Sequence, residues 1–149
     1  MTRVEADRWY PIRQAAAHPV FEHDRVARFA SLLGSGLDGL EGRDAARRMG
    51  ALMFRSHASY SACGLGSDGT DRLVDLVADA DAATGVFGAK ITGGGSGGTV
   101  AVFGTEGARD EVHRIAQVYE AETGLAPVVF EGSGPGAEEL GTLRLSFRA

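Results

Sequence analysis

Five glycines in six residues, Gly93-Gly94-Gly95-Ser96-Gly97-Gly98, stand between two β-rich runs and limit what the chain can build there. Glycine has no Cβ, so it reaches positive φ and lets another backbone or a ligand come close, at a cost in conformational entropy on folding. A plain hairpin turn needs only one or two such positions. Two readings follow: a loop tip, or a surface built for close approach by a ligand or a second protein. Glycines also gather at Gly64–Gly69 and Gly132–Gly136, each time beside an apolar segment, and they make up 22 of the 149 residues. That is about twice ordinary usage, and the apolar neighbours distinguish these stretches from a flexible Gly/Ser linker.

Gly93, Gly95 and Gly98 satisfy G-x-G-x-x-G after a β-run. A dinucleotide fingerprint also requires a helix immediately afterwards, whose N-terminus receives the pyrophosphate. Thr99-Val100-Ala101-Val102-Phe103 instead carries the β-branched character of a strand, so the Rossmann reading is rejected. No G-x-x-x-x-G-K-[ST] phosphate loop occurs either.

Periodicity orders the rest. Helices are expected from Val20 to Gly34, with Val26, Phe29, Ala30 and Leu33 on one face, and from about Arg43 to Ser59, with Ala46, Met49, Gly50 and Met53 inward. A third covers about Thr70 to Ala83, with Leu73, Val74, Leu76, Val77 and Ala80 inward and Asp68, Thr70 or Asp71 capping it. Val86–Ile91 and Thr99–Phe103 form a hairpin, and a fourth helix runs from about Glu106 to Thr123, capped by Gly124. Pro127–Phe130 and the alternating Leu143–Phe147 read as strands. The order implies an α+β fold, helices packed on an antiparallel sheet. Residues 1–149 read as a single domain, with 1–17 a tail or the remnant of an interdomain connection.

A net charge of −5 gives no reason to expect nucleic acid. An acid-bearing start and the absence of any long apolar run disfavour secretion and membrane spanning, and a single cysteine, Cys63, suits a reducing cytoplasm. Four histidines lack metal-ligand spacing, so no metal site is expected. His57 reads as a structural hydrogen-bonding residue and Cys63 as a small buried hydrophobe. In the loop Cys63–Asp71, Asp68 and Asp71 read as helix caps, with a polar substrate contact or a Mg²⁺ approach as the second reading. Gly132–Ala137 reads as a strand-to-strand turn.

The stretch Gly88-Ala89-Lys90-Ile91-Thr92-Gly93-Gly94-Gly95-Ser96-Gly97-Gly98-Thr99-Val100 resembles the third, C-terminal motif of the galactokinase, homoserine kinase, mevalonate kinase and phosphomevalonate kinase (GHMP) superfamily. His18-Pro19-Val20, Arg25-Val26, Leu52-Met53, Ser56 through Val74 and Phe130 through Ala137 resemble its sugar-kinase branch, nearest the galactokinase and L-arabinokinase-like proteins. Gly134 stands where a serine is commoner.

The resemblance implies a ferredoxin-like C-terminal domain and ATP- and Mg²⁺-dependent phosphoryl transfer to a sugar hydroxyl. Thr92, Gly93, Gly94, Gly95, Ser96, Gly97 and Gly98 would form the loop beside the nucleotide phosphates. Ser59, Tyr60 and Asp68 would lie near the substrate. The family's phosphate loop, sugar-recognition motif and catalytic base belong to its N-terminal half, and none of those motifs occurs here. No catalytic residue is therefore assigned. The expectation is half a sugar kinase, from a truncated, split or longer gene product, needing an N-terminal half as partner and holding ATP only weakly alone. The alternative is a non-catalytic module that kept the fold to bind a ligand or protein.

Overall fold

The computed structural model describes residues 4–94, 98–132, 139, 141 and 142. Its elements are α1 (Ile12–Gly34), α2 (Gly39–Ala62), α3 (Asp68–Ala78), β1 (Val86–Ile91), β2 (Val100–Gly104) and α4 (Arg109–Thr123). The two strands pair antiparallel, as the alternating apolar runs require. The pairs Gly88/Phe103 and Lys90/Ala101 share one face of the hairpin, and Ala89/Val102 and Ile91/Val100 share the other. The first face meets α1 and α2, where Phe29 packs edge-on against Phe103. The second holds the core, in which Ala89 joins Val74 and Val77 of α3 and Ile115 of α4. This is the expected α+β class, with helices on an antiparallel sheet.

Backbone-to-backbone approach sets how α2 meets β1. A Cβ added to Gly50 would fall 1.9 Å from the Phe87 carbonyl oxygen, and one on Gly88 would fall 2.4 Å from the Gly50 Cα. Two glycines opposite each other thus let the helix lie directly on the strand, a contact that any side chain at either position would force apart.

Several boundaries depart from those read in the sequence. Helix α1 begins at Ile12 and carries Pro19 inside it, so Ile12–Ala17 of the expected tail are helical. A proline ring removes one helical donor and crowds the preceding turn, which is why the sequence pattern starts only after it. The face of α1 expected to be buried has no buried residue, and Val26 and Leu33 are more than half exposed. Helix α3 stops at Ala78, short of Ala83, because Asp81 accepts a hydrogen bond from the Ala83 N–H at 2.8 Å and opens a separate 3-10 turn ended by left-handed Gly85.

Pro127–Phe130 is not a strand. Pro127 and Val129 face His113, Ala116, Gln117 and Glu120 of α4, while Val128 and Phe130 point outward. Successive residues face opposite ways, and the segment lies along a helix instead of a sheet. Leu143–Phe147 and most of the Gly132–Ala137 turn lie outside the described residues.

Candidate functional site

The end of α2, the end of β1 and the start of the glycine loop converge. Helix α2 closes with a Schellman pattern: the Leu65 N–H donates to the Tyr60 carbonyl at 3.1 Å and the Gly64 N–H to the Ser61 carbonyl at 2.9 Å, around left-handed Gly64 at φ +76°. This closure holds the last turn, bearing Ser59, Tyr60 and Ser61, beside the hairpin mouth. Across the mouth, the Thr92 N–H donates to the Thr99 carbonyl at 3.0 Å. Gly93 follows in the left-handed region at φ +72°, a conformation L side chains rarely adopt.

Tyr60 joins these parts. Its hydroxyl donates to the Gly93 carbonyl at 3.4 Å, the Lys90 ammonium lies over its ring at 5.8 Å, and the His18 ring meets it edge-on at 4.7 Å. His18 Nδ1 and Ser59 Oγ share a hydrogen bond of 2.8 Å, tying α1 to the same turn. One helical turn after His18, Glu22 accepts from the Ser56 hydroxyl at 2.6 Å and from Arg25 at 2.8 Å, with Lys90 Nζ 3.5 Å away. Burial pushes the Glu22 carboxyl up, but the bonds from Ser56 and Arg25 and the charge of Lys90 outweigh it and hold the group below its usual range.

A second network ties α2 and the first turn of α3 to the strand. The Ile91 N–H donates to His57 Nδ1 at 3.3 Å, so the ring proton resides on Nε2, which donates to Asp71 Oδ1 at 3.1 Å. The Ser61 hydroxyl donates to the same oxygen at 3.0 Å. His57 is thus a buried structural hydrogen-bonding residue, as read from the sequence.

Asp71, expected to cap α3, is instead spent on this network. The cap is Ser67, in a reciprocal box with Thr70. Asp68 is exposed in the first turn of α3 and takes no part in either network. Cys63, expected to be buried, is half-buried at the α2 C-cap, where that turn comes to the surface.

Of the expected loop residues, Gly93, Gly94 and Gly98 lie exposed, and a Cβ built on any of them meets nothing within 4 Å. Gly95, Ser96 and Gly97 lie outside the described residues. The structure brings Ser59, Tyr60, Thr92 and Gly93 together, while Asp68 belongs to neither network. Sequence reasoning missed His18, Glu22 and Lys90 as members of this cluster. Their signal was present: His18 and Glu22 are four apart on one helix face, and Lys90 precedes the glycine run by two residues.

Beside the cluster a cavity of about 330 Å³ opens between α1 and α2, walled by Val26, Phe29, Leu33, Leu52 and Met53 and closed at one end by Glu22, Arg25 and Lys90. Among the described residues no three His, Cys, Asp or Glu side chains converge as metal ligands. No helix among them is long and apolar enough to cross a membrane.

A family model described as GHMP kinases C terminal matches residues 43–120, just over half of the chain. L-arabinokinase from Arabidopsis thaliana is 43% identical over 157 aligned positions, which take in 99% of this chain and 15% of that protein. Galactokinase from Streptomyces coelicolor is 36% identical over 80% of this chain and 28% of its own length. Galactokinase from Streptomyces lividans is 35% identical over 84% of this chain and 30% of its own. The chain therefore spans less than a third of each of these relatives.

Proposed function

Because this chain belongs to the GHMP kinases, as their C-terminal domain, we propose that it is the C-terminal part of an ATP-dependent sugar kinase acting on an arabinose- or galactose-like acceptor. The observation that carries this reading is the 43% identity to L-arabinokinase across 99% of the chain. The geometry agrees with it. An exposed glycine turn, anchored at its base by Tyr60 and the Thr92–Thr99 pair, presents backbone with open space above it.

Phosphoryl transfer is mostly positioning and charge neutralisation, requiring a phosphate cradle, metal ligands and a group that orients the nucleophile. ATP would supply the phosphoryl group, and Mg²⁺ would offset its charge. The described residues fit one wall of such a site: Gly93, Gly94 and Gly98 offer side-chain-free backbone, Thr92 stands at its base, and Ser59 and Tyr60 border it. The Mg²⁺ ligands, the phosphate loop and the catalytic base are assigned to an N-terminal half, in the same chain or supplied by another. Gly95, Ser96 and Gly97 complete the proposed loop, and Asp68 serves as a substrate-side residue. Without the N-terminal half this chain is inactive or nearly so, and the completed enzyme works in the cytoplasm.

Gly94→Leu tests the reading while sparing the fold. Gly94 has open space around it and none of the positive φ of Gly93, so the substitution changes stability by no more than about 0.5 kcal/mol. In a kinase completed with an N-terminal half, kcat/KM for ATP falls at least about tenfold, because the side chain fills the space the phosphates need. Unchanged kinetics would remove the glycine turn from the site.

A further inference from the structure

Among the described residues the Tyr60 hydroxyl ends on the carbonyl of Gly93, the first residue of the glycine turn. Three further contacts fix the ring that carries it. Lys90 lies over one face, His18 meets it edge-on, and the backbone on which Tyr60 stands is held by the Schellman closure at Gly64 and Leu65. His18 is itself bonded to Ser59 and Lys90 is paired with Glu22, so held side chains of α1 and β1 converge on the phenol that α2 carries. The hydroxyl is open to solvent and is aimed at the backbone carbonyl whose peptide sets the entry angle of the turn.

From this we infer that Tyr60 is a positioning residue. It acts through the Gly93 carbonyl to fix the direction in which the chain leaves β1 at Gly93 and Gly94, and thereby how the backbone of those two residues is presented to the nucleotide phosphates. The second part rests on the kinase reading above; the first does not.

The Thr92 amide reports on the anchor directly, because it is hydrogen-bonded across the mouth to Thr99, next to the turn that Tyr60 holds. Tyr60→Phe removes the hydroxyl and keeps the ring that His18 and Lys90 contact. In the full chain, hydrogen exchange at the Thr92 amide speeds up about threefold, the order expected for losing one exposed hydrogen bond. The Ile91 amide, held by His57, keeps its rate, and Tm stays unchanged. In the completed kinase the same substitution raises KM for ATP by a similar factor and leaves KM for the sugar alone. Tyr60→Leu, which also removes the ring, gives at least as large a change at Thr92.

An unchanged Thr92 rate in Tyr60→Phe overturns the inference, whatever the kinetics give. A rise shared equally by Ile91 also overturns it, since that marks general loosening. A faster Thr92 amide in a completed protein that phosphorylates no pentose or hexose upholds the anchor and overturns only the kinase reading.

Discussion

Gly50 and Gly88 have the least room of any pair in the contact between α2 and β1. Replacing Gly50 by alanine would raise intrinsic helix propensity by roughly 1 kcal/mol, yet here the new methyl would sit 1.9 Å from the Phe87 carbonyl oxygen. Overpacking at rigid backbone wins, and Gly50→Ala lowers stability in urea by about 1–3 kcal/mol; a stabilised variant would contradict the close approach. Glu22 gives a pH signature. Its folded carboxyl titrates below its unfolded one, so the stability it contributes is present above the unfolded value of about 4.3. That stability is lost as the pH falls through the folded value. Glu22→Gln removes this increment, so the difference in stability between wild type and variant shrinks as the pH drops, as paired urea titrations across the acid limb will show. The sequence placed Gly50 on the inner face of α2 but gave no sign that its partner was another glycine. It put Tyr60 near the loop without its bond to Gly93, because a hydrogen bond to a backbone carbonyl 33 residues away leaves no local pattern.

At the level of elements, periodic apolar spacing made α2, α3, α4 and the hairpin legible, since each buries one face. Ile115 on α4 is buried against Val74 and Val77, and Ile115→Ala costs about 2–5 kcal/mol in chemical denaturation. A cost below about 1 kcal/mol would place the core elsewhere. Where the spacing misled, a competing interaction prevailed. Pro19 masked the first turns of α1, because a helix containing proline loses a donor and is usually read as starting after it. Pro127–Phe130 is a short apolar run such as a strand would show, yet its inward residues meet α4. The Asp71 carboxylate could serve either the α3 terminus or His57, and the adjacent Ser67 freed it by taking the cap.

The molecule as a whole leaves apolar surface uncovered. Trp9, Ile12, Val20, Phe21, Val26 and Leu33 are all exposed along α1 and the segment before it, and Leu40 is 90% exposed at the start of α2. Ile12, Val26 and Leu33 fall on one side of α1 at helical spacing, and exposed apolar side chains grouped in this way mark an interaction face. The isolated chain therefore self-associates at raised concentration in light scattering, and an N-terminal kinase half reduces that association by covering part of the surface. A strictly monodisperse monomer would favour an independent module.

On the proposed reading this domain is one wall of a phosphotransfer site whose opposite wall lies in an N-terminal half. The decisive measurement is sugar-dependent ADP formation with L-arabinose and with galactose, for this chain alone and for the same chain joined to an N-terminal kinase half. The chain alone gives no turnover, and the completed protein gives clear turnover with at least one of the two sugars. Turnover by the chain alone, or none from a folded, completed protein, would contradict that reading.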